Sequence, residues 1–106
     1  MDYKVIQEEN TPIQVRDWVK ANRSKEKHSV IETNSKIYIV VTRGEKRTSG
    51  YEIIVKNIDV KETEIHITFQ YKDPKPDSLV MQVLAYPLLI LEIEKTDKTI
   101  VFHILR

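Results

Sequence analysis

The sequence predicts a mainly β domain of the α+β class: a twisted antiparallel sheet closing toward a barrel or sandwich, with one N-terminal helix. Three observations carry this. Ile65, Ile67, Phe69 and Tyr71 alternate with Glu64, His66, Thr68 and Gln70, which puts apolar and polar side chains on opposite faces of a strand. Similar runs rich in β-branched residues recur from His28 to the C-terminus, separated by turn-sized polar segments. A helical period occurs once, between Thr11 and Asn22.

In chain order, Tyr3 to Gln7 is a short strand, after which Thr11, Pro12 and Gln14 form a helix start. The hydroxyl would cap, the proline would sit at the first helical position, and the glutamine would bond back to the cap amide. Val15, Trp18 and Val19 follow at i, i+3 and i+4, with Arg16, Lys20 and Arg23 on the opposite face. A helix this short needs tertiary support, and Trp18 is the expected anchor to a sheet. Arg23 to His28 is a polar connector. Strands are then predicted near 28–33, 36–43, 51–59, 64–72, 80–85, 88–94 and 99–105. Clean alternation belongs to antiparallel pairing. Tyr38 to Val41 and Leu88 to Leu91 are apolar on both faces, so these strands should lie beneath the helix or a second layer of sheet. Asn34–Ser35, Lys61–Thr63 and Lys95–Lys98 are turns, whereas Lys72–Ser78, with Pro74 and Pro76, is a longer excursion.

The chain has 106 residues, the size of one domain, with the N-terminal strand and helix in 1–27 and the β region in 28–106. Lys plus Arg number 17 against 16 for Asp plus Glu, so no global field collects phosphate backbones or anionic lipid. With no cysteine, disulfides, thiolate metal sites and thiol nucleophiles are excluded together. Met1 to Asn10 is charged where a signal peptide needs an apolar run, and nothing approaches the ~18 apolar residues of a membrane span. As it stands the chain reads as cytoplasmic; an exported form stays open.

Chemistry-bearing residues are sparse. His28, His66 and His103 fall in no metal-ligand spacing, and although Glu64 and His66 share one strand face, a site would need a third ligand. Glu92 and Glu94 lie on one open face, without the cleft that drives two carboxyl pKa values apart. No serine sits in an elbow motif with an assignable His/Asp partner. The expectation is therefore no catalysis, no metal and no cofactor. Arg16, Lys20, Arg23, Lys25 and Lys27 form a basic run that Asp17 and Glu26 interrupt, and the interleaved aromatics of a single-strand binder are missing. This leaves nucleic-acid binding through the helix as a minor alternative.

The most particular segment is Gly44–Tyr51, which holds both glycines of the chain. A phosphate loop would lead into a helix, but here a strand follows. Gly50 is expected at positive φ, with Tyr51 packing at the sheet rim. Lys46, Arg47, Thr48, Ser49, Gly50 and Tyr51 would form a basic tip beside an aromatic ring, a surface for a protein partner. An edge strand such as Tyr38–Thr42 would also serve to pair two copies as a homodimer.

Gly44–Tyr51, the two following strands, Val80–Ile93 with its Ala85, Tyr86, Pro87 corner, then Thr96, Asp97, Lys98, Val101 and Phe102 resemble the C-terminal domain of the PrcB family, named for a subunit of a bacterial protease complex. The likeness spans about Tyr38 to Phe102. The family loop runs Gly-x-Lys/Arg-Pro-Thr-Gly-Gly-Tyr; here Arg47 replaces the proline and Ser49 the first paired glycine. The resemblance implies a non-catalytic domain that associates with or stabilises a protease, and carries over Gly44, Thr48, Gly50, Tyr51, Tyr86 and Pro87. Thr48–Tyr51 is also similar to the Thr-Thr-Gly-Tyr wedge of chagasin-type peptidase inhibitors, which implies a competing inhibitor reading. That family's glycine-rich second loop and Arg-Pro-Trp loop have no counterpart here.

Overall fold

A computed structural model describes residues 1–106 as two β-sheets packed as an open sandwich, with one helix on the outer face of the first. The elements are β1 (Lys4–Val5), a 3₁₀ turn (Glu8–Asn10), α1 (Ile13–Asn22), β2 (Glu26–Glu32), β3 (Lys36–Arg43), β4 (Glu52–Val60), β5 (Glu64–Lys72), β6 (Leu88–Glu94) and β7 (Thr99–Leu105). The first sheet has the order β1-β6-β3-β2 and the second β4-β5-β7. The sheets do not close into a barrel.

The strands that are apolar on both faces explain the layering. From β3 and β6, Ile37, Ile39, Val41, Leu89, Leu91 and Ile93 face the second sheet, where they meet Ile53, Ile65, Ile67, Phe69 and Tyr71. The alternate residues Tyr38, Val40 and Ile90 face outward and receive Val15 and Val19 of α1. Both valines are fully buried, and each such burial stabilises by about 1.5–3 kcal/mol. That is enough to hold a helix of this length that would be marginal alone.

Strand directions place two crossovers at one end of the sandwich. The β3–β4 and β5–β6 connections both carry the chain from one sheet to the other, and the end of β3 touches the start of β4 and the end of β5. The β6–β7 turn crosses at the opposite end. β7 must therefore run back in the same direction as β5, and the two pair in parallel.

Several expectations are corrected. Residues 80–85 do not form a strand; only Ala85 makes an isolated bridge, to Lys46. The all-antiparallel expectation fails at β5–β7, because the last turn jumps between sheets and closes no hairpin. The helix cap also differs. Pro12 occupies the cap position with its carbonyl accepting from Val15 and Arg16, while the Thr11 hydroxyl donates to the Glu8 carbonyl of the preceding turn. Trp18 lies half-buried at the margin of the contact that Val15 and Val19 centre. Finally, β3 sits between β2 and β6, so Tyr38–Thr42 has no free edge with which to pair a second copy.

Candidate functional site

The two crossovers at the shared end are joined into one surface. Lys46 and Ala85 exchange both backbone hydrogen bonds, at 2.8 Å each. The Ser49 amide donates to the Met81 carbonyl (3.0 Å), and the Met81 amide donates to the Ser49 hydroxyl (2.9 Å). Gly44 (φ 83°) and Gly50 (φ 98°) both take the left-handed conformation that glycine supplies without strain, so the expected positive φ at Gly50 is present. Gly50 is further constrained by what rests on it. A Cβ there would meet Pro74 at 2.9 Å and Val80 at 3.2 Å, both on the second crossover.

Beneath the loops, Arg43 plugs the end of the sandwich. Its side chain is 7% exposed and donates to the carbonyls of Glu52 (3.2 Å) and Lys72 (3.1 Å) and to the Asp73 carboxylate (2.6 Å). The guanidinium lies 4.5 Å from the Tyr71 ring centre and 5.2 Å from that of Tyr51. Burial is the main reason the Tyr71 hydroxyl is pushed above its ordinary range. Arg43 thereby fixes the ends of three strands, and only its Nε lacks a partner.

The tip residues have divided roles. Tyr51 is half-buried, its ring centre 5.2 Å from the Arg43 guanidinium and 5.4 Å from the Lys46 ammonium. Ser49 and the Lys46 backbone are turned toward the second crossover, and the Thr48 hydroxyl bonds the Ser49 carbonyl. Arg47 is exposed and makes no ion pair. The Tyr86 hydroxyl donates to Glu45 at 3.0 Å, its ring lies under Arg23 at 4.9 Å, and the Pro87 carbonyl accepts from the Arg43 amide. Gly44, Tyr86 and Pro87 thus belong to the base of the loops.

Two features escape sequence reading. Arg43 is one; its only signal is a basic residue ending a largely apolar strand next to a glycine. The other is the apolar display on the second crossover: Leu79 is fully exposed, and Met81 (65%), Leu84 (62%) and Val83 (43%) lie open beside it. The run Leu79–Ala85 is apolar apart from Gln82, but an apolar run does not reveal whether it is covered.

The remaining candidates are placed elsewhere. The parallel pairing of β5 and β7 makes a hydrogen-bonded row on the outer face of the second sheet. His66 Nε2 lies 2.9 Å from Glu64 and His66 Nδ1 lies 2.8 Å from His103 Nε2, so both nitrogens of His66 are occupied. No group of three or more His, Asp or Glu residues has metal-holding geometry. His28 stacks on Phe102, at 4.1 Å between ring centres. Glu92 accepts from the Tyr38 hydroxyl and Glu94 from Lys36, whose ammonium holds the Glu94 carboxyl below its usual range. In the basic run, Arg16 bonds the Thr11 carbonyl and Arg23 covers Tyr86, leaving Lys20, Lys25 and Lys27 exposed. No helix is long and apolar enough to cross a membrane.

The family model described as PrcB C-terminal matches residues 37–94. The chain belongs to the PrcB C-terminal family. The matched segment begins in β3 and ends with β6, so it contains both crossovers and the core strands that carry them. The helix and β7 lie outside it. No curated protein and no solved structure matches the chain.

Proposed function

We propose that this PrcB C-terminal domain is a non-catalytic interaction module that associates with a protease or another protein complex and stabilises it. The observation that carries this reading is the apolar display of Leu79, Met81, Val83 and Leu84, held on a braced loop pair beside the unpaired cation Arg47. A contiguous exposed apolar patch with a polar rim is the form of a protein-binding surface. The family supports a protease complex as its setting. Tyr51 is half-buried with its ring centre 5.2 Å from the Arg43 guanidinium, which favours an associating surface over an inhibitory wedge entering a cleft.

The test is affinity capture from source cells with the wild-type chain and with a Leu79→Glu, Met81→Glu, Arg47→Glu variant, followed by reconstitution with the captured peptidase. A peptidase retained only by wild type, whose active lifetime is prolonged with turnover unchanged, supports the proposal. Stoichiometric loss of peptidase activity would replace it with the inhibitor reading, and a partner retained equally by both chains would remove the loop surface from consideration.

A further inference from the structure

We infer that the free edge of β7 pairs with β7 of a second copy of this chain, antiparallel and with Phe102 on the two-fold axis, so that the second sheets of the two copies become one. This edge is distinct from the crossover loops, and its residues lie outside the family match.

Four strands stand at sheet edges, β1, β2, β4 and β7, and three of them are guarded. β1 is two residues long, and β2 carries Glu26, Lys27 and Glu32. β4 carries Glu52, Lys56 and Asp59, and a register shift between Val55 and Asn57 breaks its ladder. Short length, charge and bulges are the ordinary means of keeping an edge unpaired. β7 has none of these: its seven residues, Thr99–Leu105, include no Asp, Glu, Lys, Arg, Pro or Gly.

The backbone of β7 has one open side. The Thr99 amide donates to the Thr63 carbonyl at the start of β5, and successive residues of a strand bond to alternate sides. Thr99, Val101, His103 and Leu105 therefore bond to β5, while Ile100, Phe102 and Ile104 turn their amides and carbonyls the other way. No strand lies on that side, and no loop bonds them. β2, in the facing sheet, reaches β7 through side chains, with His28 stacked on Phe102 and Glu26 paired with Arg106, and leaves this backbone row free. The side chains of the same three residues pack against the core yet are only half-buried.

A second copy fits this edge. With the two strands antiparallel and Phe102 opposite Phe102, Ile100 of each copy lies opposite Ile104 of the other, so every residue with open backbone groups faces another such residue. A slip of two residues in either direction leaves some of these groups unbonded. Apolar side chains then meet apolar ones on the inner face, and on the outer face Val101 sits opposite His103 of the second copy. At the ends of the ribbon Lys98 comes opposite Arg106, whose charge Glu26 already meets. A net charge of +1 adds little repulsion between copies.

Sedimentation equilibrium of the full chain over a wide concentration range measures the association, with amide exchange followed by NMR at both ends of the range. The expected result is a monomer–dimer equilibrium in which the amides of Ile100, Phe102 and Ile104 gain protection in the dimer. V101K with H103K sets like charges opposite each other across the axis and should weaken association about tenfold or more, whereas V101K with H103E turns the same contacts into opposite-charge pairs and should restore it. Both positions are on the outer face of the sheet, and circular dichroism checks that each variant keeps its fold.

A chain that stays monomeric throughout the range overturns the inference. So does a dimer in which those three amides exchange as in the monomer, or one that the two double variants weaken alike or leave unchanged. A dimer that Leu79→Glu dissociates is held by the crossover loops, which also overturns it.

Discussion

Replacing Arg43 with alanine is the most informative perturbation of stability. Its guanidinium makes two hydrogen bonds to carbonyls and one to a carboxylate, but these are unequal. Asp73 is 66% exposed, so its ion pair is largely screened and contributes no more than about 1 kcal/mol. The bonds to Glu52 and Lys72 are charge-assisted and shielded, about 1.5 kcal/mol or more each, with a further ~1 kcal/mol from the flanking tyrosines. The buried charge and its unpartnered Nε offset part of this. The expected net cost of Arg43→Ala is about 3 kcal/mol. For a domain of this size it lowers Tm by about 15 °C, whereas Asp73→Asn should lower it by less than about 5 °C. Thermal and urea unfolding followed by circular dichroism measure both. Faster amide exchange at Ser49 and Met81 in the alanine variant would show that the crossovers loosen together. If Asp73→Asn is as damaging as Arg43→Ala, the exposed ion pair dominates and the carbonyl argument is refuted.

Other expectations follow from the same geometry. Gly50→Ala combines left-handed strain with a Cβ pressed against Pro74, and should destabilise by about 2–3 kcal/mol, against about 1 kcal/mol for Gly44→Ala, whose new Cβ has no neighbour nearer than 3.4 Å; equal costs in urea unfolding would contradict the packing of the second crossover on Gly50. Arg106 holds the Glu26 carboxyl below its ordinary range through their hydrogen bond. The stability from this pairing is present above the unfolded-state pKa of about 4.3 and is lost as pH falls through the lower folded value. Glu26→Gln should therefore show a shallower loss of stability below about pH 4 than wild type, and parallel curves would refute it. Val19→Ala, beneath α1, should cost about 2 kcal/mol and release the helix signal before the sheet signal, whereas Trp18→Ala at the margin should cost less; the reverse order in thermal melts would make Trp18 the anchor.

Much of the core was legible because β3, β5 and β6 carry patterns that burial dictates. Alternation in Glu64–Lys72 defines one inner face, and the unbroken apolar runs in Tyr38–Val41 and Leu88–Leu91 identify strands covered on both sides. Period does not encode direction: Ile100, Phe102 and Ile104 alternate as an antiparallel strand would, yet β7 runs parallel because Lys95–Lys98 leads to the other sheet. A related limit governs 80–85, where a run rich in apolar residues forecasts a strand but only Ala85 makes a bridge and the Val83 amide folds back to the Met81 carbonyl. At the helix start, Thr11 matches a capping signal, but the adjacent 3₁₀ turn offers its hydroxyl a nearer carbonyl. In the candidate site, the glycines and the loop were visible, since positive φ leaves a compositional mark. Arg43 and the zipping of the two crossovers arise from contacts between segments far apart in sequence, which no local pattern records.

The position of β6 has a consequence for how the chain reaches its native state. This strand supplies Leu89, Leu91 and Ile93 to the core between the sheets and Ile90 to the layer beneath the helix, yet it comes near the end of the chain. Until Leu88–Glu94 has left the ribosome, β3 has no neighbour on one side, and both the layer beneath the helix and the core between the sheets lack the side chains that β6 supplies. Neither the helix layer nor the sandwich can close first as an independent unit, so folding is expected to be a single late event, dominated by long-range pairing and correspondingly slow, in the millisecond-to-second range of such topologies.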